Sequence, residues 1–178
     1  NPETHKYIGA VSFHSWRGCD DVTLKKWADA AKAINVPLLV GEGSTDAAAH
    51  GYAEIFNEST FALYEINLYT RICAICQPLS ILQWQLTSDY SLLWGDGIYG
   101  SKGPLRPTQR FWNIKQLAST PADALAIPVR SGKKNVNCAA FGNMVRGEYA
   151  VHMVNNGAEC EAVISGIPAE VKELKVYV

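Results

Sequence analysis

Gly41-Glu42-Gly43 follows the mostly apolar run Val36-Pro37-Leu38-Leu39-Val40. A carboxylate set where a buried strand ends suits a nucleophile or a base whose position must be fixed. Flanking glycines let a substrate or a neighbouring chain come close. A phosphate-cradling loop is the rival reading and fits badly. There is no third glycine and no Lys-Ser/Thr, and the carboxylate would repel the phosphate. Two other apolar runs also empty polar or aromatic residues at their ends. The first ends in His14-Ser15-Trp16, and a later one carries Gln83-Trp84-Gln85 and then Asp89. Trp16 and Trp84 offer flat faces for sugar rings, while His14, Gln83, Gln85 and Asp89 offer hydrogen bonds to hydroxyls. Together with Glu42 these types point to carbohydrate chemistry.

Each residue also has a plainer reading. A Glu between glycines is commonly a solvated loop residue, Trp84 in an apolar strand can be core, and His14 can be a satisfied core histidine. Gln83 and Gln85 share one strand face and Trp84 takes the other, so all three line one pocket only if the strand end twists. Asp46 and His50 read as a cap and an early helix residue. Asn57-Glu58-Ser59 matches a glycosylation sequon and is read as a helix start.

The elements that would position these residues alternate. Residues 7–13 form a short apolar run. Asp20 or Asp21 can cap a helix with Leu24, Trp27, Ala28, Ala31 and Ile34 on one face. Residues 37–40 are a second strand. A helix from about Ser59 places Phe61, Tyr64, Leu68, Ile72 and Ile75 at helical spacing and stops at Pro78. Residues 80–86 are a third strand, and 108–118 a last helix with Phe111, Ile114 and Leu117 or Ala118 inward. Apolar strands separated by helices imply a parallel sheet covered by helices. In such sheets ligands bind at the carboxyl ends of the strands, which is where Glu42, His14 and Trp84 fall. After Pro121 the pattern changes to short runs at 136–141, 149–154, 160–164 and 174–178. Arg146-Gly147 and Asn156-Gly157 lie between runs as hairpin signals. The expected division is an α/β part over 1–120 and a small antiparallel β module over 121–178.

The bulk numbers agree with a packed protein. The chain has 178 residues, 48% hydrophobic, which is enough for a core. A formal net charge of -1 gives no electrostatic case for nucleic acid. No apolar run is long enough to span a bilayer. Cys73 and Cys76 form a CxxC without the second pair that zinc would need, so buried free thiols are expected. Cys138 and Cys160 could pair. No metal or cofactor motif is present. Asn1 replaces an initiator Met, and the end falls inside a strand-like run, so a piece of a longer protein is expected.

On these residues the chain resembles the C-terminal half of a retaining glycoside hydrolase of the large (β/α)8-barrel clan, most like family 30, the glucosylceramidase- and xylanase-like group. The resemblance covers nearly the whole chain. It implies a partial TIM barrel, its last three βα units, followed by a small β-sandwich side module. It makes residues 7–16, 37–42 and 80–86 the sixth, seventh and eighth strands. It implies that Glu42 is the nucleophile, that Trp84 floors a sugar subsite, and that His14 and Trp16 border Glu42. Many clan members carry a Tyr where this chain has Trp16, which cannot supply a phenol hydrogen bond. The acid/base Glu of the clan lies on the fourth strand, which would precede Asn1. The implied partner is a β-linked glycan or glycoside, without cofactor. The implied compartment is secreted, periplasmic or lysosomal. A fragment with open sheet edges is expected to be inactive alone and to self-associate or need the missing half of the barrel. The alternative from another class is a non-catalytic carbohydrate-binding or structural fragment in which Glu42 only accepts hydrogen bonds.

Overall fold

A computed structural model describes residues 1–45, 52–88 and 90–178. Three strands, β1 (Val11–His14), β2 (Leu38–Gly43) and β3 (Ser80–Gln83), form a parallel sheet in the order β1-β2-β3. Helices α1 (Asp21–Ala33) and α2 (Ser59–Cys76) connect them, and α3 (Gln109–Leu117) follows. Asp20 caps α1 by accepting from the Thr23 N–H, as the sequence suggests. Gln77 closes α2 in a left-handed conformation before Pro78. The first apolar run is strand only from Val11, because Asn1 and Pro2 start a 3-10 helix over Pro2–Tyr7.

Helices α1, α2 and α3 bury their stripes against one face of this sheet. Phe13, Leu38 and Val40 meet Leu24 and Ala31 of α1 and Leu68, Tyr69 and Ile72 of α2, with Ile114 and Leu117 of α3 at the margin. Trp27 stacks on Phe13 with ring centroids 5.4 Å apart. The opposite face carries Ser12, Leu39, Gly41 and Leu82, and no helix covers it among the described residues. On α2 the inward stripe differs from the expectation at one point. Tyr64 is 63% exposed, and Glu65 is buried instead. The stripe Phe61-Glu65-Leu68-Ile72 keeps helical spacing, so the helix is turned by less than one position.

A short antiparallel pair, β4 (Leu93–Trp94) with β5 (Arg106–Pro107), lies in the stretch before α3. The last part is a separate antiparallel sheet of β6 (Leu125–Ile127), β7 (Val136–Asn143) and β8 (Glu148–Asn155). β7 and β8 form the hairpin expected around Arg146-Gly147, where Asn143 Oδ1 accepts from the Val145 and Arg146 N–H groups. The runs at 160–164 and 174–178 are not strands. They lie largely exposed and have no ladder partner, and a strand without one is not stable. Leu125–Ile127 takes the third place in the sheet. Asn156-Gly157 closes no hairpin. The Asn156 amide instead clasps Asn67 of α2, accepting at 2.6 Å and donating at 2.9 Å, while Asn137 donates to Asn67 at 2.6 Å. All five cysteines are free thiols. Among the described residues no helix is long and apolar enough to cross a membrane.

Candidate active site

The carboxyl ends of the three parallel strands lie side by side. His14 is the register partner of Glu42, and Gly43 that of Gln83. The Ser15 N–H donates to the Glu42 carbonyl at 3.1 Å, and the Trp84 N–H to the Gly43 carbonyl at 2.7 Å. The register shifts between Phe13 and His14 and again between Val40 and Gly43. This irregularity buries Val40 and Gly43 and turns Glu42 out beside His14. The Nδ1 atom of His14 lies 3.9 Å from Glu42 Oε2, with the two side chains 51% and 21% exposed. The rings of His14 and Trp16 are 4.7 Å apart and tilted by 55°. Trp16 and Trp84, at the ends of the two outer strands, are both well exposed.

The two glycines have separate reasons. A Cβ on Gly41 would stand 2.3 Å from Ser12 Oγ of β1. A Cβ on Gly43 would stand 2.8 Å from both the Tyr69 hydroxyl and Ile81 Cγ2. Gly41 therefore admits β1, and Gly43 admits α2, on either side of Glu42.

Beneath this rim lies a buried polar network. Arg110 of α3 donates from Nε to Glu65 Oε2 at 2.9 Å and from Nη2 to Glu65 Oε1 at 2.8 Å. Its Nη1 donates to the carbonyls of Tyr90 and Ser91 at 3.0 and 2.9 Å. The guanidinium also sits over the Phe56 and Phe61 rings, 4.8 and 5.3 Å from their centroids. Glu65 Oε1 further accepts from Gln83 Nε2 at 3.3 Å and from Ser44 Oγ at 3.5 Å. Ser15 Oγ donates to the Ser44 carbonyl at 2.6 Å and accepts from the Ser44 N–H at 3.1 Å. Tyr69 donates to Gln83 Oε1. Burial, and then the Glu65 carboxylate, push the Tyr69 phenol well above its ordinary range, which keeps it a donor.

Of the residues singled out in the sequence, Glu42, His14, Trp16 and Trp84 share the rim. Gln83 does not. It turns to the helix side, where Tyr69, Glu65 and the Trp84 carbonyl take both ends of its amide. Gln85 follows β3 in a loop, its N–H donating to the Tyr90 carbonyl at 3.2 Å and its carbonyl accepting from Leu92 at 3.0 Å. Asp89, Asp46 and His50 lie outside the described residues. Glu65 is the acid inside this network, but both its oxygens hold Arg110 and its side chain is only 2% exposed. It cannot act on a substrate. Among the described residues no group of three or more His, Cys, Asp and Glu is placed to hold a metal. A cavity of about 300 Å³ behind β3, lined by Tyr69, Ile81, Gln83, Ile114, Leu117 and Phe141, opens on the helix side rather than at Glu42.

The sequence reading missed Glu65, Tyr69 and Arg110. Their signal was present. Glu65 lies on the stripe with Phe61, Leu68 and Ile72, and Arg110 on the stripe with Ile114 and Leu117. Opposite charges on the inward stripes of two helices are the mark of a buried pair. Compared with known proteins, the chain matches no family model and no curated protein.

Proposed function

We propose that the chain carries the nucleophile of a retaining glycoside hydrolase acting on β-linked carbohydrate, within the last three βα units of a (β/α)8 barrel. The observation that carries the reading is the partly exposed Glu42 at the end of β2, beside His14 and between strand ends bearing the exposed Trp16 and Trp84. The consecutive order β1-β2-β3 with the helices on a single face supports a singly wound sheet. Doubly wound sheets carry helices on both faces, whereas a singly wound one closes into a barrel.

In this reading the Glu42 carboxylate attacks the anomeric carbon. The glycosidic bond breaks, and its oxygen leaves with a proton from a second carboxyl roughly 5–5.5 Å away. That group then removes a proton from water, and the resulting attack frees Glu42. The second carboxyl comes from outside this chain. His14, in its protonated form, holds the Glu42 carboxylate by charge across 3.9 Å. Trp16 and Trp84 receive the C–H faces of the sugar. Gln83 acts only through the strand it stabilises.

A second reading has its own support. The acid of the network beneath the rim, Glu65, is consumed by Arg110. A site that only binds carbohydrate needs no second acid. The test is to incubate the protein that carries this chain with activated fluoro-sugars and to map covalent adducts by mass spectrometry. An adduct on the Glu42 peptide is expected. Cleavage of a glycan without that adduct would refute the assignment. Sugar binding that survives Glu42→Gln, with neither adduct nor cleavage, would favour the binding-only reading.

A further inference from the structure

We propose that Arg110 and Glu65 are a positioning pair whose task is to fix the orientation of the Trp84 indole at the rim. The inference rests on Trp84 being the sugar platform, but its test uses no sugar.

A buried ion pair is a poor way to join two helices. Removing both charges from water costs about as much as their attraction returns, and apolar residues of similar size do as well or better. α2 and α3 already share apolar contacts, with Ile114 and Leu117 packed against the core that Leu68 and Ile72 help build. The polar bonds of the pair go elsewhere. Arg110 spends Nη1 on the carbonyls of Tyr90 and Ser91. Tyr90 has φ +62°, a left-handed conformation that a bulky side chain rarely adopts and that needs an outside hold. Glu65 spends Oε1 on Ser44, just past β2, and on Gln83, the last residue of β3. Gln83 in turn donates to the Trp84 carbonyl at 2.9 Å.

The pair therefore ties three segments together: the returning loop at residues 90–91 directly through Arg110, and the ends of β2 and β3 through Glu65 and the Ser44 and Gln83 side chains. Trp84 lies between the end of β3 and that loop. Its side chain is 44% exposed, so packing alone does not hold it. Its backbone is held before and after by groups that lead to Arg110. Arg is suited to this because its rigid fork meets a carboxylate bidentately and keeps donors for carbonyls, which a Lys cannot do.

The experiment is fluorine NMR on the chain grown with 5-fluorotryptophan, with the lines of Trp16, Trp27, Trp84, Trp94 and Trp112 assigned by Trp→Phe substitution. Gln83→Leu cuts the link that runs from Glu65 to the Trp84 carbonyl while leaving the pair and the hold through Tyr90 intact. Glu65→Met/Arg110→Met replaces the pair by apolar volume. In both, the Trp84 line is expected to shift by more than its width or to split, while Trp27, stacked on Phe13 in the core, stays in place. Arg110→Lys is expected to disturb Trp84 as well, since it keeps the charge but loses the fork. A Trp84 line unchanged in folded variants overturns the proposal. So do variants in which every tryptophan line moves together, which is what a purely structural pair would give. If the double variant does not fold, Gln83→Leu is read by the same two criteria. Failure to label Glu42 would leave this result untouched, so the two readings fail separately.

Discussion

Breaking the Arg110–Glu65 pair from one side should cost far more than removing it whole. The two side chains are 0% and 2% exposed. Arg110→Met leaves the Glu65 carboxylate buried without its partner and strands the Ser91 carbonyl, while the Tyr90 carbonyl keeps the Gln85 N–H. Leaving one buried charge alone costs about 3–5 kcal/mol. The abandoned carbonyl adds to this where water cannot reach it, by about 1–3 kcal/mol at most. Glu65→Met is milder, because Arg110 keeps both carbonyls. It should fall near the lower end of about 3–5 kcal/mol. The double variant leaves no isolated charge, and only the Ser91 carbonyl and the Ser44 hydroxyl lose a partner. Its loss should be smaller than that of Arg110→Met alone. A double-mutant cycle in urea at neutral pH, followed by far-ultraviolet circular dichroism, measures all three. A coupling of at least about 3 kcal/mol in favour of the double variant is expected from the isolated-charge cost. Losses that simply add, to within about 0.5 kcal/mol, would refute the reasoning, because they would mean the charges do not feel each other. If Arg110→Met is too unstable to measure, the cycle is run in sucrose, which strengthens all four proteins alike.

Other outcomes follow from single sites. Gly43→Ala places a Cβ 2.8 Å from the Tyr69 hydroxyl and from Ile81, so it should cost about 1–3 kcal/mol in urea and detach Tyr69 from Gln83. Burial lowers the His152 pKa below its ordinary value of 6.5, where it bonds Thr120 at 2.7 Å. The unfolded chain then binds a proton that the folded chain resists, so this stability is present above pH 6.5 and is lost as the pH falls through the lowered folded value. Urea midpoints from neutral to mildly acid pH should fall, and His152→Gln should flatten the slope. Burial pushes the Cys73 and Cys76 thiols up to about 12, so iodoacetamide at mildly alkaline pH should alkylate the exposed Cys160 and reach those two only in denaturant.

The backbone of this arrangement was legible where burial is written in local spacing. Leu24, Trp27 and Ala31 predicted α1, and Phe61, Leu68 and Ile72 predicted α2, because one apolar stripe suffices to dock a helix. Glu42, His14, Trp16 and Trp84 were legible as a rim because each ends an apolar run. Reading Tyr64 inward failed because hydrophobicity ranks it above Glu65. Glu65 is buried because Arg110, 45 residues further along the chain, pairs with it, and that signal shows only when the stripes of α2 and α3 are compared, not in either alone. Gln83 follows Ile81 onto the helix side by plain alternation, but which face of β3 meets the helices is set by tertiary packing and not by the strand's own pattern. The runs at 160–164 and 174–178 had the composition of strands, but a strand also needs a neighbour to pair with, and composition does not supply one.

The asparagine clasp between α2 and the antiparallel sheet also gives the protein a chemical age. Asn156 is followed by Gly157, the sequence in which a backbone nitrogen most readily attacks the preceding side-chain amide. Ammonia leaves, and water then opens the ring to aspartate or isoaspartate. Here the attacking N–H is engaged with Asn155 Oδ1 at 3.0 Å, and the Asn156 amide is engaged with Asn67 and the Asn135 carbonyl. The docked joint thus holds its own reactants apart. Each opening of the joint exposes them. Once converted, the residue sets a carboxylate oxygen against Asn67 Oδ1, acceptor facing acceptor, and the clasp cannot close as before. Stored protein should accumulate the mass of the acid on the Asn156 peptide in step with loss of docking between the two sheets. Asn156→Gln should slow that decline.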